Sequence, residues 1–408
     1  MPLLPKKLSI HNYNYLLPQD RIAFKPLQNR EEAKLLIYKN QVISDSLISK
    51  LPEHLPPGSL MIFNNTKVIH ARLLFKQSSG SVIEIFCLEP ADAVNGYENI
   101  LQSTHPVTWK CFVGNAAKWK TNTISSVIHT TSEEITLTAT LKSREKGYFL
   151  VSFSWSSNHC SFGEVLHAAG NVPLPPYIKR TPVSFDEERY QTVFAENKGS
   201  VAAPTAGLHF SHSLMKQIKN NDIDIDMITL HVGAGTFKPV SATLMEDHEM
   251  HAEWMDVSCE SIRQLLNHSF IITVGTTSLR TIESLYWMGV KASLGYEDLT
   301  LTQWEVYEDH LQQSQLSKQE ALIHLLKWMK ERKLTQLYKQ TSILIAPGYH
   351  FKIANVLLTN FHQPKSTLLL LVAAAIGPEW KTLYQHALTH QYRFLSYGDA
   401  NLLFLSQG

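Results

Sequence analysis

Histidines and carboxylates are concentrated in one short segment of this 408-residue chain, Asp247–Glu253, which reads DHEMHAE. Imidazole titrates near neutral pH, so the segment suits general acid/base chemistry. A metal site is less expected, because the two histidines are not spaced as in H-E-x-x-H. A solvated loop is the alternative, since the chain has 19 histidines and any single one is weak evidence.

Two glycine-rich runs enclose an amphipathic helix within the stretch Gly199–Val240. The first run, at 199–210, reads GSVAAPTAGLHF, and the second, at 229–237, reads TLHVGAGTF. Glycine permits positive φ and a close approach of ligand to backbone, whereas it weakens strands and helices. We interpret the runs as two walls of one small-molecule site, with tight turns at strand ends as the alternative.

Polar groups follow the predicted strands, where ligands bind in open α/β sheets. The turn Gly275–Ser278 precedes a helix and offers N–H groups and hydroxyls to an anion such as a carboxylate, although simple helix capping explains it equally well. Arg280, one turn into that helix, can bind a carboxylate through two hydrogen bonds or form a surface ion pair. The turn Asn360–Thr367 contains His362 and Lys365, which favour contact with an anion or a base edge; a capped helix after a polar loop is the alternative.

Aromatic and basic residues indicate a nucleic-acid partner only locally. The segment Tyr392–Ala400 interleaves aromatic rings with Arg393, a composition that suits stacking on a nucleobase but is also common in cores. Basic residues in two further segments are candidates for phosphate contact, with a generic basic surface as the alternative. They are Lys67, Arg72, Lys179 and Arg180.

The composition describes a globular chain without an overall charge bias. Hydrophobic residues make up 44%, and 37 Lys and Arg oppose 36 Asp and Glu, so the net charge of +1 neither requires nor excludes a nucleic-acid partner. The four cysteines form no C-x-x-C pair, which indicates free thiols in the cytoplasm rather than a zinc ribbon or disulfides. We see no signal peptide at the N-terminus, and the longest apolar run, Leu368–Ile376, is too short to span a bilayer.

The spacing of strands and helices predicts two domains. Short strands without intervening helices over 60–155 predict a small β-barrel domain. Strand–turn–helix alternation in the rest predicts an α/β fold, with a mostly parallel sheet and helices on both faces. The α/β domain then comprises residues 1–59 and 156–408, interrupted by the inserted barrel, and the charged helical segment at about 290–340 is expected to be a peripheral insertion.

Nine long motifs in this order resemble the S-adenosylmethionine:tRNA ribosyltransferase-isomerase family of queuosine biosynthesis. The resemblance extends from about Tyr15 to Ala400. The motifs are LMIFNNTKVI, VPLPPYIKR, RYQTV, GSVAAPTAGLHF, TLHVGAGTFKPV, DHEMHAE, VGTTSLRTIES, LLTNFHQPKSTLL and YRFLSYGDA.

The resemblance implies a reaction, its partners and an architecture. The ribosyl group of S-adenosylmethionine would be transferred to 7-aminomethyl-7-deazaguanine at the wobble position of tRNA and isomerised, giving epoxyqueuosine-tRNA, adenine and methionine. The tRNA would carry a GUN anticodon (Asp, Asn, His or Tyr type). S-adenosylmethionine would be a substrate, with no permanent cofactor and no metal. An α/β domain interrupted by a β-barrel, without a membrane segment, is implied, and we expect a cytoplasmic monomer.

The reaction requires a base near C5′ of the sulfonium substrate, a donor for the departing adenine and a site for the methionine carboxylate. The expected acid/base residues are His209, His231 and His251, followed by Asp247, Glu253 and Asp399. The expected substrate-binding residues are Gly207, Gly233, Gly235, Thr236, Phe237, Gly275, Thr276, Thr277, Ser278, Arg280, Asn360, His362, Lys365, Arg393 and Tyr397.

The chain departs from the family pattern at several positions, which bear on tRNA contact more than on the reaction. Examples are Lys34, Trp254, Leu395 and Asn401. Two other functions compete with the ribosyl transfer. A methyltransferase should show an early G-x-G-x-G turn, but the only G-x-G is Gly233–Gly235, deep in the chain. A non-catalytic tRNA-binding protein should have lost the His and Gly residues of the central runs, which are intact.

Overall fold

The structure, a computed structural model, describes residues 5–77, 79–92, 96–180, 182–233 and 240–405. Within these ranges the chain forms eighteen strands and ten α-helices. The strands are β1 (Lys34–Lys39), β2 (Val42–Leu47), β3 (Ser59–Asn64), β4 (Thr66–Val68), β5 (Arg72–Lys76), β6 (Val82–Pro90), β7 (Val107–Gly114), β8 (Thr123–His129), β9 (Glu134–Glu145), β10 (Tyr148–Trp155), β11 (Gly170–Asn171), β12 (Asn197–Ser200), β13 (Ile223–Leu230), β14 (Glu253–Ser258), β15 (Ile271–Val274), β16 (Gln336–Thr341), β17 (Val356–Asn360) and β18 (Ala400–Phe404). The helices are α1 (Tyr97–Gln102), α2 (Phe162–Ala169), α3 (Ser184–Arg189), α4 (His212–Asn220), α5 (Cys259–Asn267), α6 (Thr276–Ser293), α7 (Asp309–Gln312), α8 (Lys318–Glu331), α9 (Thr367–Ile376) and α10 (Trp380–Thr389).

A nine-stranded sheet forms the centre of the fold, in the order β16-β14-β13-β3-β15-β17-β18-β1-β2 over the described residues. Its parallel pairs are β1–β18, β3–β13, β3–β15 and β15–β17, and the other four pairs are antiparallel. The sheet is therefore mixed, and the prediction of a mostly parallel sheet is not confirmed. An apolar strand sequence indicates that both faces of the strand are buried, but it does not indicate the direction of the neighbouring strand.

Helices cover both faces of this sheet because successive side chains of a strand point to opposite sides. In β3, Leu60 and Ile62 join a core with α6, α8, α9 and α10. Met61 and Phe63 join a second core with α4 on the other face. Every residue of β3 is buried, which explains its continuous apolar sequence.

The position of β3 corrects one boundary of the predicted domains. Residues 60–64 were expected to open the barrel domain, but β3 pairs in parallel with β13 and β15 at the centre of the large sheet. Because β3 is buried on both faces, it needs elements that cover both faces. The nine-stranded sheet, with helices on each face, provides this environment. The chain then leaves this sheet through the short strand β4, which pairs with β12.

A seven-stranded antiparallel sheet, in the order β11-β5-β6-β7-β10-β9-β8, contains most of the predicted barrel strands. It curls around a core that includes Trp109, Phe153 and Phe162, the last from α2. Pairing between the edge strands β11 and β8 is absent among the described residues. A closed barrel is therefore not confirmed.

The segment at about 290–340 contributes more to the fold than a peripheral insertion would. Helix α8 buries Leu322, Leu325 and Met329 in the same core as α6. Strand β16 pairs with β14 and forms one edge of the nine-stranded sheet. No helix in the described ranges is both long enough and apolar enough to cross a membrane.

Close packing of α6 on α8 makes Gly289 a sensitive position. A Cβ atom on Gly289 would lie 2.1 Å from the carbonyl oxygen of Ala321. We expect Gly289→Ala to lower the free energy of unfolding by about 1–3 kcal/mol, because the helices must move apart. Helix propensity alone would instead raise it by ~1 kcal/mol. Urea denaturation would show whether the free energy of unfolding falls or rises. A variant as stable as the parent would contradict this packing.

Candidate active site

A cleft lies beyond the carboxyl ends of β15 and β17, next to the first glycine-rich run. It encloses about 790 Å³, counted to its open mouth. Its polar groups are neutral hydroxyls, amides and one imidazole. They belong to Tyr177, Thr205, Thr276, Thr277, Thr359, Asn360, His362, Gln363, Ser366 and Ser396.

The first wall of the cleft is the N-terminus of α6. Gly275 adopts φ +89°, which favours glycine, and turns the chain from β15 into the helix. The hydroxyls of Thr276 and Thr277 follow it, and Thr277 Oγ1 accepts a hydrogen bond from Asn64 Nδ2 at 3.3 Å. Gly275, Thr276 and Thr277, which the sequence singled out at this strand end, therefore all line the cleft.

The opposite wall comes from the end of β17. Asn360 Oδ1 accepts a hydrogen bond from Thr205 Oγ1 at 2.8 Å, and this bond connects β17 to the first glycine-rich run. His362 Nε2 lies 3.0 Å from Thr359 Oγ1. Burial lowers the pKa of His362 to about 3, so its imidazole is neutral at physiological pH.

A second, charged pocket of about 1290 Å³ adjoins the cleft. Thr276, Thr277 and Leu368 line both spaces. The pocket also contains most of the DHEMHAE segment and the second glycine-rich run at Gly233. Its ionisable residues are Asp247, His248, Glu249, His251, Glu253 and Arg280.

Arg280 and Glu253 form a buried ion pair at the bottom of this pocket, where Arg280 is 7% and Glu253 5% exposed. Arg280 Nε also donates to the carbonyl of Ile343 at 3.2 Å. Its Nη2 atom is buried and has no hydrogen-bond partner among the described residues. A buried N–H group without a partner is costly, so this atom is suited to receive an anionic oxygen of a ligand.

His209 and Asp399 do not line the cleft. His209 Nδ1 faces the carbonyl of Ala206 at 3.0 Å, and Nε2 faces that of Gly398 at 2.9 Å. Asp399 accepts the backbone N–H groups of Lys34 and Arg393 at 3.0 and 2.7 Å. Both side chains therefore hold chain segments together in the described structure, although the sequence predicted acid/base roles for them.

His231 is also outside the cleft, between the two large sheets. Its ring stacks on Tyr97 with centroids 4.6 Å apart, and its Nδ1 lies 3.2 Å from Thr66 Oγ1. Burial lowers the pKa of His231 to about 4. Gly199 is required beside it, because a Cβ atom there would lie 2.6 Å from Nδ1.

The remaining predicted substrate residues divide into two groups. Residues 235–237 (Gly, Thr and Phe) lie outside the described residues. The others contact protein and line neither the cleft nor the charged pocket: Gly207, Ser278, Lys365, Arg393 and Tyr397.

Of the four residues predicted to contact phosphate, the two arginines form ion pairs within the protein. Arg180 binds the buried Asp186 through two hydrogen bonds, of 2.5 and 2.7 Å. Arg72 Nε lies 3.2 Å from Glu84 Oε1. Lys179 is exposed, and Lys67 lines a separate groove between the two large sheets.

Sequence reasoning did not include six polar residues of the cleft among its site residues: Tyr177, Thr205, Thr359, Gln363, Ser366 and Ser396. All six stand in motifs that the sequence singled out, but the prediction named neighbouring residues in the same motifs. The Tyr177 hydroxyl hydrogen-bonds Ser396, which joins the VPLPPYIKR segment to the YRFLSYGDA segment. A neutral hydrogen-bonding side chain within a singled-out motif is the signal that they share.

Two of the departures from the family pattern also concern the cleft or its surroundings. Leu395 lines the cleft at φ +70°, an uncommon conformation for a residue with a Cβ atom. Trp254 stacks on Tyr338, with ring centroids 4.4 Å apart. Lys34 Nζ donates to the His390 carbonyl, and the side chain of Asn401 is buried with both polar atoms unpartnered among the described residues.

Burial of two neutral imidazoles makes the stability of the fold depend on pH. The pKa values of His231 (about 4) and His362 (about 3) are below the ordinary value, so the unfolded chain binds more protons at acidic pH. Each buried imidazole lowers the free energy of unfolding, by on the order of 3 kcal/mol, as the pH falls below about 6.5, and the loss is complete near pH 4 for His231 and near pH 3 for His362.

We expect His362→Gln to reduce the loss of stability between pH 7 and 4.5, as measured by urea denaturation at each pH. The control is the matched variant His11→Gln, at an exposed position that does not line the cleft. Equal pH slopes for the parent and His362→Gln would contradict a buried neutral imidazole at residue 362.

Comparison with known proteins identifies the family. A family model described as "Queuosine biosynthesis protein" matches residues 10–403. The chain belongs to this family. Proteins named S-adenosylmethionine:tRNA ribosyltransferase-isomerase are similar to this member of the family over nearly their whole lengths. The one from Francisella tularensis subsp. novicida is 35% identical over 96% of this chain and 99% of its own, and the one from Magnetococcus marinus is 34% identical over 97% and 94%.

A solved structure also matches this queuosine biosynthesis family member. It is the crystal structure of S-adenosylmethionine tRNA ribosyltransferase from Thermotoga maritima, at 24% identity over 96% of this chain and 99% of that chain. The TM-score is 0.45.

Proposed function

We propose that this chain transfers and isomerises the ribosyl group of S-adenosylmethionine onto 7-aminomethyl-7-deazaguanine at the tRNA wobble position, with release of adenine and methionine. Its relatives with that name are similar over nearly their whole lengths. The observation that carries the proposal is the meeting of a neutral cleft and a charged pocket at Thr276, Thr277 and Leu368. S-adenosylmethionine has the same division, with an uncharged adenosine and a zwitterionic methionine joined by a sulfonium.

The methionine part suits the charged pocket. Its carboxylate would accept a hydrogen bond from the unpartnered Nη2 of Arg280, while Glu253 neutralises the rest of the guanidinium. Its ammonium would lie near Asp247 and Glu249. The hydroxyls of Thr276 and Thr277 would then face the sulfonium and C5′.

Adenosine suits the neutral cleft, where the hydrogen-bonding groups carry no net charge. Asn360 and Ser396 supply hydrogen-bonding groups for the departing adenine. Tyr177 offers aromatic surface to the base and the sulfonium. His251 is the best-placed proton acceptor for C5′, because it lines the pocket next to this junction, whereas His209 and His231 are enclosed by protein.

The finer expectations remain proposals. We propose a tRNA with a GUN anticodon, a monomeric enzyme and a cytoplasmic location. We also propose that no cofactor is held permanently, since S-adenosylmethionine is consumed as the ribosyl donor. We also propose that the chain has a barrel domain and an α/β domain, and that β3 belongs to the α/β domain.

Product analysis tests the proposed reaction. The enzyme would be incubated with labelled S-adenosylmethionine and tRNA that bears the aminomethyl base. We expect adenine and methionine in equal amounts, and only when the modified tRNA is present. Release of adenosylhomocysteine would instead support a methyltransferase, and tRNA binding without any product would support a non-catalytic binding protein.

A further inference from the structure

We infer that the groove between the two large sheets, lined by Lys67, Lys198 and Arg30, binds phosphates of the tRNA backbone. This inference rests on the proposed function and names the surface that holds its polynucleotide substrate. The groove encloses about 1420 Å³ and is separate from the cleft and the charged pocket.

Two lysines face each other across the small sheet at this groove. Strands β4 and β12 are parallel, and Lys67 is paired in register with Lys198. Both side chains line the groove, and neither forms an ion pair with a described residue. Like charges directly opposite one another destabilise a sheet, so this pair is favourable when an anion lies between the two ammonium groups.

A third cation lies in the same groove without a carboxylate partner in the described ranges. Arg30 donates from Nη1 to the carbonyls of Gln191 and Leu208, at 3.0 Å each, and the nearby Glu188 acts on it electrostatically without forming an ion pair among the described residues. Glu187 and Glu188 also line the groove, where the cationic groups are the lysine pair and Arg30. This fits a chain of net charge +1, which needs a local basic groove to bind RNA.

Residues that line more than one pocket connect the groove to the proposed reaction site. Arg30 also lines a smaller pocket of about 320 Å³, together with Arg189 and Ser396. Ser396 in turn lines the cleft. A polynucleotide whose phosphates contact Lys67 and Lys198 would therefore lie on the side of the cleft that Ser396 borders.

The sequence alone did not identify this surface. Of its four predicted phosphate ligands, Arg72 and Arg180 form intramolecular ion pairs. Only Lys67 lines the groove, and its partner Lys198 stands in a segment without other basic residues. Strand pairing between residues 131 positions apart in the chain brings them together.

The test uses the full-length protein and tRNA bearing the aminomethyl base. The double variant Lys67→Gln/Lys198→Gln is compared with Lys118→Gln/Lys120→Gln, which removes the same charge from exposed lysines outside the groove. Affinity for tRNA is measured by fluorescence anisotropy at several salt concentrations. Affinity for S-adenosylmethionine is measured by calorimetry to show that the reaction site is intact.

We expect the groove variant to bind tRNA on the order of tenfold more weakly, with the slope of log K against log [salt] reduced by about 1.5, because each phosphate contact contributes ~0.7–0.9. Its affinity for S-adenosylmethionine and the behaviour of the control variant should be unchanged. A groove variant with the affinity and slope of the parent would overturn the inference while leaving the proposed reaction intact. A parent protein that binds no tRNA would overturn both.

Discussion

Replacing His251 by Ala is expected to lower the turnover number by about 10²–10⁴-fold, because a positioned proton acceptor contributes that much to proton transfer. His251 lines the charged pocket, which meets the cleft at the junction where the proposed substrate places C5′. Its side chain is exposed, so the fold should be unaffected. Affinity for S-adenosylmethionine should change by less than a few-fold, and single-turnover kinetics with modified tRNA would measure the loss.

The exposed His129, far from the pocket in the seven-stranded sheet, provides the control for this prediction. His129→Ala should retain the parent turnover. If His251→Ala retained it as well, His251 would not be the base, and the neighbouring His248 in the same pocket would be the next candidate.

Removing Arg280 is expected to destabilise the protein and to abolish binding of S-adenosylmethionine. Arg280→Leu leaves the carboxylate of Glu253 buried without its partner, which costs about 3–5 kcal/mol. It also removes the Nη2 atom proposed to bind the methionine carboxylate. Urea denaturation would measure the first effect and calorimetry the second.

The double variant Arg280→Leu/Glu253→Leu separates the two effects. Replacing both members of a buried ion pair with apolar residues is often nearly neutral for stability. We therefore expect most of the lost stability to return, while binding of S-adenosylmethionine stays absent. Restored binding in the double variant would show that Arg280 serves the fold and not the ligand.

Local sequence patterns predicted the two turns that line the cleft, but not all of its other lining residues. The turn after β15 and the turn after β17 were predicted from strand, glycine and hydroxyl patterns, and both line the cleft. These features depend on residues close together in the chain. The helix α9 is capped by Ser366, whose hydroxyl accepts from the Leu369 N–H, in agreement with a capped helix after the polar loop.

Features that depend on distant pairing were missed. His209 and His231 stand in the glycine-rich runs, and only the folded chain shows that carbonyls and Tyr97 enclose them. The central position of β3 and the mixed direction of the sheet also follow from long-range contacts. An apolar run or a histidine in the sequence does not specify which segment covers it.

Mass analysis of the wobble nucleoside is the most direct test of the proposed reaction. tRNA bearing 7-aminomethyl-7-deazaguanine would be treated with the enzyme and S-adenosylmethionine, then digested to nucleosides. We predict conversion of the wobble nucleoside to epoxyqueuosine, in an amount equal to the adenine released. An unchanged or methylated wobble nucleoside, with the enzyme folded and S-adenosylmethionine bound, would contradict ribosyl transfer by this chain.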